Sequence, residues 1–267
     1  MNLKMRIYRL LTRPLRGHNL DKYPSLIKLH DCIVKGLSNQ YIDVNGYRMN
    51  AGKGDWLHYQ YTGEYEPLTT QLIKDYIKPG DTVVDVGANI GYYTLLFSRL
   101  VGDTGAVFAF EPEPTNYGYL KTNIKLNGYD NIITEQKAIA DKACLMKLFI
   151  HPDNPGGHTI TDSYGDIPSI TVCCFSMDDY FKDIKIDFVK IDVEGAEHLV
   201  IEGMSSLIRQ GVKIVFEINA ELSGGHEQEI FDLLEKSGYR FLFIDEKDRT
   251  TSRSLPVGKN VNVLCIK

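Results

Sequence analysis

Asp85-Val-Gly-Ala-Asn-Ile-Gly91, running on into Tyr92-Tyr93-Thr94, decides the fold of this chain. It lies between the apolar run Thr82-Val83-Val84 and a helical pattern in Leu95, Leu96, Phe97 and Leu100. A buried strand therefore ends in a glycine-bearing turn that opens a helix. Gly87 and Gly91 have no Cβ, so the backbone can turn tightly there and come close to a ligand. The first N–H groups of the helix lack intrahelical acceptors and face whatever fills the crevice. A second apolar strand, Ala106–Phe110, ends in Glu111. That acid stands roughly 20 residues beyond Gly91, the separation at which a carboxylate meets ribose hydroxyls in nucleotide-binding α/β folds. An adenosine-containing ligand is expected.

The turn is not the pyrophosphate fingerprint G-x-G-x-x-G. It reads Gly87-x-x-x-Gly91 with Asn89 between, and Asp85 precedes the first glycine by two positions. A carboxylate there suits a ligand bearing an ammonium group better than one bearing a pyrophosphate. An ordinary strand-to-helix turn is the plain alternative; the linked set Asp85, Asn89 and Glu111 weighs against it.

Composition narrows the field. The 267 residues are 43% hydrophobic and 24% charged, as in a globular chain able to bury a full core. A net charge of −5 offers no general basic field for nucleic acid, so no nucleic-acid partner is expected. The five cysteines include no C-x-x-C pair and read as reduced thiols of a cytoplasmic enzyme. No run approaches the ~20 apolar residues of a membrane span. Lys4, Arg6, Arg9, Arg13 and Arg16 precede the first acid, Asp21, and Leu3, Ile7 and Leu10 fit one helical face. Residues 1–20 thus read either as a peripheral contact with an anionic membrane surface or as a docking helix with a solvated basic face.

Residues 1–40 form this basic extension, and residues 41–66 a hairpin around Asn45-Gly46 followed by an aromatic stretch, Trp56 to Tyr65. Residues 67–267 alternate strand and helix. Strands are expected at Thr82–Val86, Ala106–Phe110, Ile132–Ala138, Asp187–Asp192 and Lys213–Ile218, and helices at Tyr92–Val101, Asn116–Asn127, Ala196–Ile208 and Gln228–Ser237. Arg240–Ile244 and Val261–Ile266 read as a closing antiparallel pair. The expectation is an α/β fold with a mostly parallel, seven-stranded sheet covered by helices on both faces.

Ligands of such sheets sit beyond the carboxyl ends of the strands. There Asp85, Glu111, Asp141, Asp192, Glu217 and Asn219 are expected to converge. Asp85 to Thr94, Phe110-Glu-Pro-Glu-Pro, Phe188-Val-Lys-Ile-Asp-Val-Glu-Gly-Ala-Glu197, Glu202-Gly203, Phe216-Glu-Ile-Asn219 and Gly63-Glu-Tyr-Glu-Pro67 together resemble the FkbM family of methyltransferases. The resemblance implies a Rossmann-like class I methyltransferase fold that uses S-adenosylmethionine to methylate a hydroxyl of a carbohydrate, glycolipid or natural product. It implies that Gly87, Asn89 and Gly91 line the methionine part, that Asp85 faces its amino group and that Glu111 takes the ribose diol. Asp141 would face the adenine amino group or be a plain turn acid.

The acceptor must be held in line with the methyl group and must lose a proton. Asp192 at the end of strand four is the leading group for that work, with Glu194 beside it. His158, in the glycine-bearing excursion Asp153-Asn-Pro-Gly-Gly-His158, is the alternative base. Asp192, Glu217 and Asn219 would supply three oxygen ligands to Mg2+, an arrangement similar to catechol O-methyltransferase-like enzymes. Two rival classes share such a sheet: a nicotinamide-dependent oxidoreductase, and a non-catalytic S-adenosylmethionine-binding module.

Overall fold

The computed structural model describes Ile7 and residues 41–50, 65–152, 154–161, 167–219, 222, 224–256 and 259–267. The basic extension apart from Ile7, and the aromatic stretch before Tyr65, lie outside the described residues. The chain divides into two compact units, Met1–Tyr65 and Glu66–Lys267. In the first, β1 (Tyr41–Val44) and β2 (Tyr47–Asn50) pair antiparallel around Asn45-Gly46. Both turn residues take positive φ, 47° and 86°, as a two-residue hairpin turn requires.

The second unit opens with α1 (Pro67–Tyr76). It continues through β3 (Thr82–Val86), α2 (Tyr92–Val101), β4 (Ala106–Phe110), α3 (Pro114–Asn127) and β5 (Ile132–Glu135). Next come β6 (Ala138–Ile139), β7 (Cys144–Phe149), β8 (Ser169–Phe175), α4 (Met177–Tyr180) and β9 (Phe188–Ile191). The chain closes with α5 (Glu197–Glu202), α6 (Ser205–Gln210), β10 (Lys213–Ile218), α7 (Glu227–Lys236), β11 (Arg240–Asp245), β12 (Thr250–Ser252) and β13 (Val261–Ile266). The main sheet runs β12-β11-β13-β10-β9-β3-β4-β5. Its β10-β9-β3-β4-β5 part is parallel, and β13 enters antiparallel between β10 and β11. This is the class I methyltransferase fold. The central strands have almost no polar face because helices cover both sides; all four residues of β9 are buried.

Apart from shifts of one or two residues at element ends, three features differ from expectation. The sheet has eight strands, since the polar loop after β11 contributes β12 at its edge. The third strand ends at Glu135, not Ala138. Ala138 and Ile139 instead pair with Cys174 and Phe175, opening a second, three-stranded sheet, β6-β8-β7. Lys137, at the crossing, lies 4.7 Å from the centroid of the Phe175 ring. The expected helix Ala196–Ile208 breaks into α5 and α6 at Gly203-Met204, where a Cβ on Gly203 would stand 2.2 Å from the Ala140 carbonyl oxygen.

Candidate active site

The chain leaves β3 for β4 and β5 on one side and reaches β9 on the other, so the switch point lies between β3 and β9. Val86 and Ile191 are paired there, and Asp192 N–H donates to the Val86 carbonyl at 2.9 Å. The two strands bring their following residues into contact. Gly87 has φ +79°, and a Cβ built on it would stand 1.8 Å from the Asp192 carbonyl oxygen. No other residue fits. Gly91, with φ +96°, caps α2, and its missing Cβ leaves room for Leu120 of α3. It packs at the turn and is not among the cleft walls. Asn89 is left-handed at φ 51°, and its N–H donates to Glu111 Oε2 at 2.7 Å.

A cleft opens beyond these strand ends. Gly87, Asn89, Glu111 and Asp192 form its walls together with Lys137 and Ile139. Asn116, Pro155, Gly156 and His158 complete it from α3 and from the excursion between β7 and β8. Asn116 Nδ2 donates to the Pro155 carbonyl at 2.8 Å, which fixes the excursion over the cleft. Glu111 is 5% exposed and also accepts from Glu113 N–H at 2.9 Å. Among the described residues, Asp85 Oδ1 and Asn89 Oδ1 are buried oxygens without a hydrogen-bond partner. The other Asp85 oxygen accepts from Thr94 Oγ1 at 2.5 Å.

Asp141 does not join this set. Because β5 ends early, Asp141 follows β6 in the smaller sheet and pairs with Lys142 at 3.0 Å. It is not among the cleft walls.

Beneath Asp192 lies a cluster of carboxylates around one ammonium. Lys190 is 3% exposed; its Nζ donates to Asp192 Oδ2 at 2.8 Å and sits 4.5 Å over the Tyr93 ring. Burial opposes its charge, but Asp192, Asp85 and Glu66 together raise its pKa. Tyr93 in turn donates its hydroxyl to Glu66, the left-handed residue that caps α1. Glu217 is held well above the usual carboxylate range by burial and by the nearby charges of Asp192, Glu66 and Glu194. Glu194 also sits in the left-handed region, at φ 53°, and accepts from Asn219 Nδ2 at 3.4 Å. Glu197 is structural: it accepts from Val193 N–H at 3.2 Å and from Gly195 N–H at 3.0 Å, holding the turn ahead of α5.

The expected magnesium set is not assembled. Lys190 donates to one Asp192 oxygen, Oδ2, placing a positive charge beside the carboxylate, and Asn219 is turned toward Glu194. Among the described residues no three His, Cys, Asp or Glu side chains converge as a metal site.

The profile of the Methyltransferase FkbM domain matches residues 85–241, more than half of the chain. The protein belongs to the FkbM methyltransferase family. It is an S-adenosylmethionine-dependent methyltransferase, which sets the oxidoreductase reading aside. The chain is 28% identical over 208 residues to 31-O-demethyl-FK506 methyltransferase FkbM of Streptomyces tacrolimicus, covering 64% of this chain and 76% of that one. It is 25% identical over 168 residues to hexuronic acid methyltransferase AglP of Haloferax volcanii, covering 62% and 66%. Among solved structures it resembles a precorrin-6y C5,15-methyltransferase of Geobacter metallireducens GS-15, with a TM-score of 0.49 and 14% identity, over 85% of this chain and 97% of that one.

The cleft of this FkbM-family enzyme fits the methyl donor of its family. Buried oxygens without partners suit the donor's ammonium and hydroxyl hydrogens; Asn89 offers one in the cleft wall, and Asp85 one on β3 behind the turn. Glu111 spends two acceptor sites on backbone N–H groups and retains capacity for a ribose diol. Lys137 and Asn116 are walls of the same cleft that motif reading passed over, because neither lies in a glycine turn or at a strand end.

His158 reaches the cleft, as expected, but in an unexpected state. Its Nδ1 accepts from His151 N–H at 3.1 Å, so in the neutral ring Nε2 carries the proton. Burial lowers its pKa and favours that neutral form. The ring faces the cleft as a donor, suited to orienting an oxygen and not to taking a proton from one.

Burial dominates the other titrations in this FkbM-family site. It pushes Glu111 and Glu194 to about 8 and Glu197 to about 7. Between the unfolded carboxyl pKa and these values the folded state holds more protons than the unfolded one, so stability falls as pH rises. His158 and His198 have lowered pKa values and act oppositely, but only below about pH 6.5. The ligand-free enzyme should therefore unfold at a lower temperature at about pH 8.5 than at about pH 6.5. A flat or rising midpoint across that window in a thermal melt would contradict the buried acid cluster.

Proposed function

We propose that the protein is an O-methyltransferase acting on a hydroxyl of a small-molecule or glycan acceptor. The reading is carried by Asp192, which is at once a wall of the cleft and the partner of a buried ammonium at the switch point. S-adenosylmethionine supplies an activated methyl group when bound. The turn from Gly87 to Asn89 and the Glu111 carboxylate hold it. Asp192 orients the acceptor hydroxyl and receives its proton, and Lys190 fixes the Asp192 carboxylate for that task. His158 donates through Nε2 to an acceptor or donor oxygen from the excursion side. The names of two relatives, a demethyl-FK506 methyltransferase and a hexuronic acid methyltransferase, are consistent with an oxygen acceptor on a natural product or sugar.

Calorimetric titration with S-adenosylmethionine and S-adenosylhomocysteine, followed by turnover on polyols, uronic acids and macrolides, tests the proposal. Saturable cofactor binding without methyl transfer to any hydroxyl would overturn the acceptor assignment. In the same titration Glu111→Ala weakens cofactor binding by about 1–3 kcal/mol, the loss expected when an acceptor is removed and buried donors are left unpaired. Unchanged affinity in a folded variant removes Glu111 from the cofactor site.

The basic N-terminal extension extends this reading to the acceptor's setting. Among the described residues no helix is long and apolar enough to cross a membrane. The five basic residues before Asp21, on a chain of net charge −5, favour peripheral contact of a cytoplasmic enzyme with anionic lipid. Full-length protein should co-sediment with phosphatidylserine vesicles at low salt and be released as salt rises. Removal of residues 1–20 should abolish this without changing cofactor affinity. Indifference of the full chain to the vesicles at low salt leaves only the docking-helix reading.

A further inference from the structure

Two cysteines stand opposite each other in the smaller sheet. Cys144 on β7 and Cys174 on β8 are direct partners in the antiparallel register. Residues so paired point to the same face, with Cα atoms about 4.5–5.5 Å apart. That separation lies inside the range of about 4.4–6.8 Å that a disulfide spans. Both thiols are free, and they lie close enough for the charge of one to bear on the other. Cys174 is 1% exposed, whereas Cys144 is only partly buried, so the pair is reached from the Cys144 side. Cys173, exposed and adjacent in sequence, points to the other face and pairs with Leu145.

The pair sits where the excursion leaves and rejoins the sheet. Between Cys144 and Cys174 the chain carries Pro155, Gly156, His158 and Ile160 to the cleft. On its other side Cys174 is the register partner of Ala138, itself a cleft wall.

We propose that Cys144 and Cys174 form a reversible cross-strand disulfide that clamps the stem of the cleft-lining excursion. The oxidant is a small-molecule disulfide such as glutathione disulfide. The Cys144 thiolate attacks one glutathione sulfur and expels one glutathione thiolate. Cys174 then loses its proton and attacks the Cys144 sulfur, expelling the second. The two protein thiols give up two electrons and two protons, and one glutathione disulfide becomes two glutathione thiols. Burial pushes the Cys174 thiol up to about 12, which assigns the first attack to Cys144 and leaves Cys174 to resolve the mixed disulfide.

The test is peptide mapping of the full-length protein after incubation with glutathione disulfide, with free thiols alkylated before digestion under non-reducing conditions. The expected product is a peptide pair joined through Cys144 and Cys174, lighter by two hydrogens and separated by dithiothreitol. Cys173→Ser keeps it and Cys144→Ser loses it, both variants retaining native circular dichroism. Amide exchange in residues 150–161 slows in the oxidised form. A mixed disulfide confined to Cys173, or no linked peptide at oxidant excess, overturns the bond; a linked peptide with unchanged exchange overturns the clamp.

Discussion

Lys190→Met costs the fold about 3–5 kcal/mol, the range seen when one partner of a buried ion pair is removed and the other is left uncompensated. Methionine fills a similar volume, so lost packing over Tyr93 is a minor part of the loss. What remains is a set of carboxyls, Glu66, Asp85, Asp192 and Glu217, whose cation has gone. They can relieve the repulsion only by taking up protons, and burial already raises Glu66 and Glu217 and pushes Asp85 to about 6. The cost should therefore be larger at about pH 8 than at about pH 6, because acid supplies those protons. Urea unfolding at both values measures it. A loss below about 1 kcal/mol, or one that ignores pH, would remove Lys190 from the centre of the cluster.

Asp192→Asn reduces turnover by about 100-fold or more while cofactor affinity stays close to normal. Asparagine keeps an oxygen for Lys190 and the shape of the wall, so the substitution removes little besides the charge and the capacity to accept a proton. The fall should appear in kcat at saturating acceptor. If it appears only in KM, Asp192 binds the acceptor without handling its proton. Since Lys190 supplies the positive charge beside Asp192, turnover should also be indifferent to added magnesium and to chelator. Metal-dependent activity would show that the cluster rearranges when the acceptor binds.

The sheet was legible because its signals are local and repeated. Five buried strands alternate with helices, and the glycine turn after Val86 marks the cleft end of β3. Glu111 and Asp192 follow directly on strand ends and Gly87 and Asn89 lie in the turn after β3, so chain order alone carries them to the cleft. Asp141 failed for the same reason in reverse: the strand it was thought to end leaves the main sheet at Glu135. Hydrophobic alternation does not say which sheet a strand joins. Lys190 and Glu66 lay in plain view inside recognised motifs. A lysine in a buried strand and a glutamate before a proline carry no local sign that they meet. Their meeting is a tertiary event, formed only when α1 and β9 pack around Tyr93. The tautomer of His158 was equally hidden, since it depends on a backbone N–H seven residues away.

The absent side chain at Gly87 has a consequence for how such an enzyme can diversify. With the Asp192 carbonyl filling the place of a Cβ, the turn proposed to hold the donor and the residue proposed to face the acceptor rest directly on one another. The gauge between the two reactants is thereby machined into the backbone of β3 and β9, where a misplacement of about 1 Å is enough to spoil in-line transfer. New acceptors must be accommodated elsewhere, by the excursion over the cleft. Such a chassis can change its substrate many times over while the stroke of the reaction keeps its length.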